Sequence, residues 1–468
     1  MLFLSFGACA EDGFFSDPLG TKREIKSSDP NSCSYCNTLP SSTKPLALRD
    51  LVNTALCNNP TTRSAWAVVL ESAAALGDSR SAYLPTVSGG IIESRTLIHE
   101  YSNAFIEKNR QDARSKRLIG QTLFNPSITL SYLLYDFGGR EAVNEVTRQS
   151  LFASDYTFSA TMQSVIFNVV QAYYNYIAAK ASVIAARESL KAAETSRDAA
   201  STRYRVGNAA LVDKLQAETA YSQAKLVETQ ALNQQDVNKG ALLNSIGLDP
   251  DYEIQLIQPD LDADKKRDEF SLSVHEMIKF AKENRPDLMA ADRLVQSNRA
   301  AIDVAKAANY PSISLSASQQ YYHYNATGGI NQNSGTIALS VAVPIFTGFN
   351  NTYKIAAARE SYNAQLASRD GIENNLSQDV WVTYHNFKTS EQNLVTTQEL
   401  VISAEGANRV ALGRYKAGVG NIVDLLIAQA QLARAKQEKI QAQYNWLANR
   451  FDLIRALGSL TTEKIGMN

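Results

Sequence analysis

Two stretches of this chain, about 140–203 and 352–414, contain no proline and few or no glycines. Sixty-odd residues at helical rise make a rod of roughly 90–100 Å, too long to fold back into a compact domain. Such a helix needs neighbours along its whole length, and most patterns of this kind belong to coiled coils. In the first stretch Ile166, Val170, Tyr173, Ile177 and Ile184 fall on a heptad seam. The second carries Trp381, Tyr384, Leu394 and Val401 among polar residues. The spacing predicts long helices over 138–203 and 351–413, with returning helices over 210–247 and 421–458.

The two rods belong to a duplication. A helical pattern over 47–80, with Leu51, Ala55, Trp66 and Val69, recurs from 272 to 308 with Met277, Ala281, Leu294 and Val304. Pro60 and Pro286 stand 226 residues apart, as do Pro85 and Pro311. The halves should therefore share one architecture: a first unit over 47–250, a charged connector over 251–271 and a second unit over 272–460, with a tail from 461. Each proline pair is followed by alternation. Ile128, Leu130, Tyr132 and Leu134 share one face while Ser127, Thr129 and Ser131 share the other, and 312–318 and 336–343 alternate as cleanly. Period two predicts strands, placed at 83–99, 118–135, 309–324 and 334–346. A sandwich core would explain the apolar face. A barrel with aliphatics toward lipid and small polar residues toward a wet lumen explains both faces. Tyr132, Tyr135, Tyr310, Tyr321, Tyr322 and Tyr324 near strand ends suit interfacial girdles. Four strands cannot close a barrel, for which about eight is the small end. Open edges are not tolerated in lipid. Three copies would supply twelve strands.

A net charge of -1 offers no global attraction for nucleic acid, and no apolar run is long enough for a spanning helix. Residues 1–10 end in Ala8-Cys9-Ala10 and read as the remnant of a secretory signal; the rival reading makes Cys9 a lipidated residue. Residues 11–46, rich in Ser, Pro, Asp and Lys, read as an extended leader. With Cys9 set aside, Cys33, Cys36 and Cys57 leave one disulfide and one free thiol, and a bridge to Cys57 would pin the leader to the first helix. Cys33-x-x-Cys36 lacks the second ligand pair of a zinc site.

Between each rod and its returning helix lies a matching turn: Arg203-Tyr204-Arg205-Val206-Gly207 and Arg414-Tyr415-Lys416-Ala417-Gly418. An acidic residue follows each, Asp213 and Asp424, at the same 211-residue offset. Gly207 and Gly418 suit the left-handed residue that ends a helix. Arg203 and Arg414 complement the dipole at a helix C-terminus, as the aspartates do at an N-terminus. In a three-fold ring the aspartates would instead converge and select cations.

Tyr83-Leu84-Pro85 and Tyr310-Pro311-Ser312 open the strand pairs. Leu134-Tyr-Asp-Phe-Gly-Gly-Arg140 and Pro344-Ile-Phe-Thr-Gly-Phe349 close them. With the two Arg-Tyr-x-x-Gly turns, this order resembles the TolC family of outer-membrane efflux and secretion channels, over nearly all of 47–460. The resemblance implies a mainly α chain with a β-barrel part: four strands per chain in a trimeric twelve-stranded outer-membrane barrel that continues into a long periplasmic α-helical barrel. It implies a homotrimer with a periplasmic adaptor, an inner-membrane ABC or RND transporter, and no cofactor. The stretch Ala55–Trp66 with its upstream Cys pair is similar to members serving type I secretion; multidrug efflux is the alternative. The resemblance places docking at Arg203, Tyr204, Gly207, Arg414, Tyr415 and Gly418. It makes Asp424 an acidic pore residue. Where relatives have a second Asp this chain has Ile427, and where they can carry a locking Arg it has Gly420. One acidic ring backed by an apolar constriction of Leu426 and Ile427 follows. The second turn is then the moving gate and the Asp213 hairpin its fixed neighbour.

Catalysis is not expected. His99, His275, His323 and His385 are scattered, and no nucleophile–base spacing or phosphate loop appears. A soluble coiled-coil scaffold explains the rods but not the four strands. A passive membrane anchor explains both without needing to open.

Overall fold

The computed structural model describes residues 17–27, 45–101, 116–257, 273–325 and 331–461. Its elements run α1 (Leu48–Asn58), α2 (Pro60–Ser81), β1 (Thr86–Tyr101), β2 (Lys116–Tyr135), α3 (Gly139–Arg205) and α4 (Leu211–Ser245). The order repeats as α5 (Val274–Asn284), α6 (Pro286–Ala307), β3 (Ser312–Asn325), β4 (Asn331–Ala342), α7 (Asn350–Lys416) and α8 (Ile422–Ala456). α3 and α7 are each 67 residues long and α4 and α8 each 35, so the duplication holds to the residue in these helices. The strands differ, at 16 and 20 residues in the first half and 14 and 12 in the second. The chain divides into two compact units.

One unit holds residues 72–151 and 294–366 with the start of the chain. Its four strands form one antiparallel sheet in the order β1-β2-β3-β4. Register decides the faces. Val87 pairs with Leu130, Leu130 with Ala317, and Ala317 with Ile337. One step along, Ser88 pairs with Thr129, Thr129 with Ser318, and Ser318 with Thr336. The aliphatic face therefore continues across all four strands, and Ile91, Ile128, Ile337 and Leu339 on it are open to the surroundings. Water does not favour such a face; lipid does.

The strands start later than alternation predicted, at 86 and 312 rather than 83 and 309. Tyr83 and Leu84 instead donate their N–H groups back to Arg80 and Ser81, and Tyr310 donates to Ala307, closing turns before each proline. β4 ends at Ala342 because Pro344, just beyond, has no N–H for a ladder. Below β2, Phe137 (φ 52°) and Gly138 (φ 90°) reverse the chain. Arg140 ties that corner, donating to the carbonyls of Leu133 (2.7 Å), Leu134 (3.1 Å) and Ala82 (3.2 Å), with its guanidinium over the Tyr83 ring. Alongside, the Phe137 ring stacks on Tyr310 and meets Tyr135 edge to face.

The leader is not extended throughout. Residues Thr21–Glu24 form a 3₁₀ turn, because the Asp17 carboxylate accepts from the N–H groups of Thr21 and Lys22, both at 2.9 Å.

The other unit holds 25–71, 152–293 and 367–468. Its core gathers Leu51 and Val52 of α1, Val170 and Tyr174 of α3, Leu243 of α4, Met277 of α5, Val380 of α7, and Leu447 and Phe451 of α8. The patterns read as single helices over 47–80 and 272–308 are each broken in two. The residue before a proline is driven out of the helical region, so Asn59 and Arg285 take ψ 125° and 123° ahead of Pro60 and Pro286. The heptad seam of α3 also drifts. Ile166, Val170, Tyr173 and Ile177 are buried, but Ile184 is 52% exposed, and Ala179, Val183, Ala186, Ala193 and Ala200 carry the seam onward. A straight helix slips about 20° per heptad against a strict seven-residue repeat.

Candidate functional site at the two helical tips

Both turns are built as the sequence demands. Gly207 (φ 80°) and Gly418 (φ 77°) are left-handed. The N–H of Asn208 reaches the Arg203 carbonyl at 2.8 Å, and that of Val419 the Arg414 carbonyl at 3.1 Å, so orphan carbonyls at each helix end are satisfied. The restart differs between the copies. α4 begins after Ala210, which offers no capping side chain, whereas Asn421 accepts the Val423 N–H at 3.0 Å and caps α8.

The packing differs far more. At the second tip Tyr415, Ile422 and Leu425 bury together against Ala199 of α3, Ala411 and Leu412. Gly420 sits hard against the end of α7, where an added Cβ would come within 2.9 Å of Arg414 and of the Tyr415 nitrogen. A locking arginine has no room there in this conformation. Another arginine crosses instead: Arg203, from the end of α3, donates to the Tyr415 carbonyl at 2.7 Å and lies 4.2 Å over its ring. It adds a charged donor to a carbonyl at the C-terminus of α7 that already accepts the Gly418 N–H at 3.1 Å. Further along, α3 and α8 stay together through Ser196 with Gln429 and the pair Glu188–Lys436 at 2.8 Å.

The first tip has no such cover. Tyr204 is 40% exposed where Tyr415 is 6%, and Leu211 is 50% where Ile422 is 2%. Within one chain the second tip, expected as the moving gate, is thus the more tightly packed, by its apolar cluster and by Arg203, and the Asp213 hairpin expected as the fixed neighbour is the more open.

Asp424 is exposed on α8 and, among the described residues, has no hydrogen-bond or ion-pair partner. Asn421 rather than Asp424 does the capping. Ile427, one turn on, shares its face. Both line a groove of about 440 Å³ with Arg414, Gly420 and Val410. Leu426 does not join them: it packs at the tip cluster and borders a separate groove of about 1290 Å³ between α4 and α8, floored by α3. Of the two residues expected at the constriction, Ile427 shares the Asp424 groove within one chain and Leu426 does not. Asp213 is half-buried in the first turn of α4 and lines neither groove. Cys57 lies on α1 and is disulfide-bonded; Cys9, Cys33 and Cys36 lie outside the described residues.

Sequence reasoning missed the reach of Arg203 across the tips, which pairs residues 212 apart. The alanines of the seam were legible: Ala179, Ala186, Ala193 and Ala200 recur every seven residues on α3, as do Ala428, Ala435 and Ala442 on α8.

The family described as "Outer membrane efflux protein" matches residues 51–248 and 277–459, one segment in each half. Among curated proteins the chain is 26% identical to Protein CyaE of Bordetella pertussis over 424 residues, covering 89% of this chain and 84% of that protein. It is 23% identical to the outer membrane protein TolC of Escherichia coli, covering 83% and 78%. Among solved structures, the CmeC outer membrane channel of Campylobacter jejuni superimposes with a TM-score of 0.74 at 21% identity, covering 89% of this chain and 88% of that one.

Proposed function

We propose a secretion role on one premise: the chain belongs to the outer membrane efflux protein family. Members are outer-membrane transport conduits, not enzymes, with a TolC-like fold. We infer that three copies close a barrel from their four-stranded sheets, and that the long helices make the periplasmic tunnel below it. The carrying observation is the aliphatic face, continuous in register over four strands and open to the surroundings. A periplasmic adaptor and an inner-membrane transporter complete the path.

Within that path we assign the chain to type I protein secretion. The support is the stretch Ala55–Trp66, similar to members of that subgroup, together with the disulfide at Cys57. Deleting the gene should abolish export of one large protein and leave sensitivity to dyes and detergents unchanged. Drug hypersensitivity with an intact secretome would instead favour small-molecule efflux, the reading that the family's description favours.

We place the periplasmic entrance at the tips. Three copies of Asp424 converge there, each backed by Ile427, and narrow the pore for anions. Asp424→Ala should raise single-channel conductance in planar bilayers and weaken both cation selectivity and block by divalent cations. Unchanged conductance and selectivity would refute this gate.

A further inference from the structure

The apolar face of the sheet does not end level on its four strands. Away from the rods, its outward residues run to Ile91 on β1, before Glu93 and Arg95, and to Phe124 on β2, before Thr122. On β3 they stop at Ala317, before Gln319, and on β4 at Ile337, before Gly335 and Asn333. At this margin the outward surface is notched. Gly89 pairs with Ile128, Ile128 with Gln319, and Gln319 with Gly335, so two of the four positions in that row carry no side chain. One row on, Ile91 faces Pro126, and the β2–β3 pairs skip Asn125 and Pro126. The result is a groove of about 450 Å³ over Gly89, walled by Ile91, Pro126 and Ile128, with Gln319 and Tyr321 on its β3 side.

The polar residues at this groove are not used up. Gln319 lies across Gly335, where an added Cβ would come within 2.8 Å of its Oε1, and donates to the Asn333 carboxamide. Both side chains are exposed. Whichever way the two carboxamides are turned, their mutual hydrogen bond leaves at least one carbonyl oxygen and one NH2 over. Among the described residues neither finds a further partner, nor does the Tyr321 hydroxyl. Polar groups left open toward hydrocarbon are costly. A donor and an acceptor beside an apolar groove fit a ligand that offers both.

We propose that the groove binds an acyl chain of an outer-leaflet glycolipid, amide-linked and hydroxylated near the linkage. The chain lies over Gly89 against Ile91 and Ile128. Its hydroxyl or amide N–H donates to the open carboxamide oxygen, and its carbonyl accepts from the NH2 group or from Tyr321. Arg95, exposed and without an ion-pair partner among the described residues, stands four residues beyond Ile91 on the same face, toward a phosphorylated sugar. A glycerophospholipid offers only acceptors at its ester linkages and would leave the carboxamide oxygen unmet. The proposal rests on the lipid-facing reading of this face, with which the groove is continuous.

The test uses the full-length protein, extracted from outer membranes and washed in detergent until bulk lipid is gone. Bound lipids are released and counted per chain by mass spectrometry, hydroxyacyl glycolipid and glycerophospholipid separately. The wild type should retain glycolipid in excess of phospholipid. Gly89→Leu fills the groove, and an added Cβ there meets only the Ser127 carbonyl oxygen at 3.9 Å, so the strand admits it; glycolipid should fall to background. Gln319→Leu removes the carboxamide, and retention should fall about tenfold, the worth of one or two hydrogen bonds. Val87→Leu, on the same face one row nearer the rods, should change nothing. Equal retention in all four proteins overturns the site, as does the absence of bound lipid. Phospholipid in place of glycolipid, or loss with Gly89→Leu but not with Gln319→Leu, overturns the hydroxyacyl assignment. These results leave the lipid-facing reading standing as long as the protein stays in the membrane fraction after an alkaline wash. Release of the wild type by that wash overturns both.

Discussion

The two helical tips are copies of one sequence pattern that have settled into opposite packing states. Tyr415, Ile422 and Leu425 bury, while their counterparts Tyr204, Leu211 and Lys214 stay open or half-open. One substitution explains part of this. Leu425 fills the second tip where the first has Lys214, which instead reaches over Tyr204 and pairs with Glu218 at 3.5 Å. The difference teaches that a duplicated motif does not carry a duplicated role. The second tip is packed within the chain, and the first is left open within it.

The largest expected effect tests that contrast directly. Leu425→Ala should lower stability by roughly 2–5 kcal/mol, as for other fully buried leucines, read as a drop in thermal midpoint by circular dichroism. Lys214→Ala should move it by no more than about 0.5 kcal/mol. Equal losses at the two positions would mean that the tips do not differ in packing as described.

A second contrast lies at the broken helices, where each half joins its first helical pair to its last helix. In the first half Asn59 donates one hydrogen bond to the Ser245 carbonyl at 2.9 Å. In the second, Arg285 grips Asp287 at 3.0 and 2.7 Å, Asp379 at 2.6 Å and the Ala456 carbonyl at 3.4 Å. Both joints press on a left-handed glycine, Gly247 or Gly458, with no space for a Cβ. Arg285→Ala takes the guanidinium from two carboxylates, leaving Asp379 with Arg455 at 3.7 Å and Asp287 with the Leu288 N–H at 2.9 Å. It should cost about 2–3 kcal/mol, whereas Asn59→Ala should cost about 1 kcal/mol. The same thermal measurement ranks them, and a reversed order would mean that the ion pairs contribute less than one neutral hydrogen bond.

Much of the fold was legible because its signals are local. Alternation at 127–134 and 312–318 fixes strand faces from side-chain types alone, and the Arg-Tyr-x-x-Gly turns announce helix ends through glycine. Strand starts were misjudged because Tyr83 and Tyr310 look like strand residues, yet their N–H groups are spent on turns. Ile184 was misplaced because large aliphatics draw the eye to a strict heptad, whereas the packed seam runs through alanines. The site was less legible than the fold. Asp424 and Ile427 share a face by spacing alone. That Leu426 turns to another groove, and that Arg203 crosses to Tyr415, are facts of tertiary packing.

The smallest effect bears on a position where the two turns differ by one methyl group. Gly420 in the second tip corresponds to Ala209 in the first, and only the second tip presses this residue against the preceding helix end. A methyl group at 420 would sit 2.9 Å from main-chain atoms of Arg414 and Tyr415, so the turn must open to admit it. Gly420→Ala should therefore cost about 1–3 kcal/mol, the usual range for overpacking. Ala209→Gly should cost at most about 1 kcal/mol, from chain entropy alone. The displacement at 420 would also push Tyr415 away from Arg203, so the loss should shrink when Arg203→Ala is already present. Additive losses in that double variant would separate the tight turn from the arginine contact and leave the anchor of the second tip to its apolar cluster.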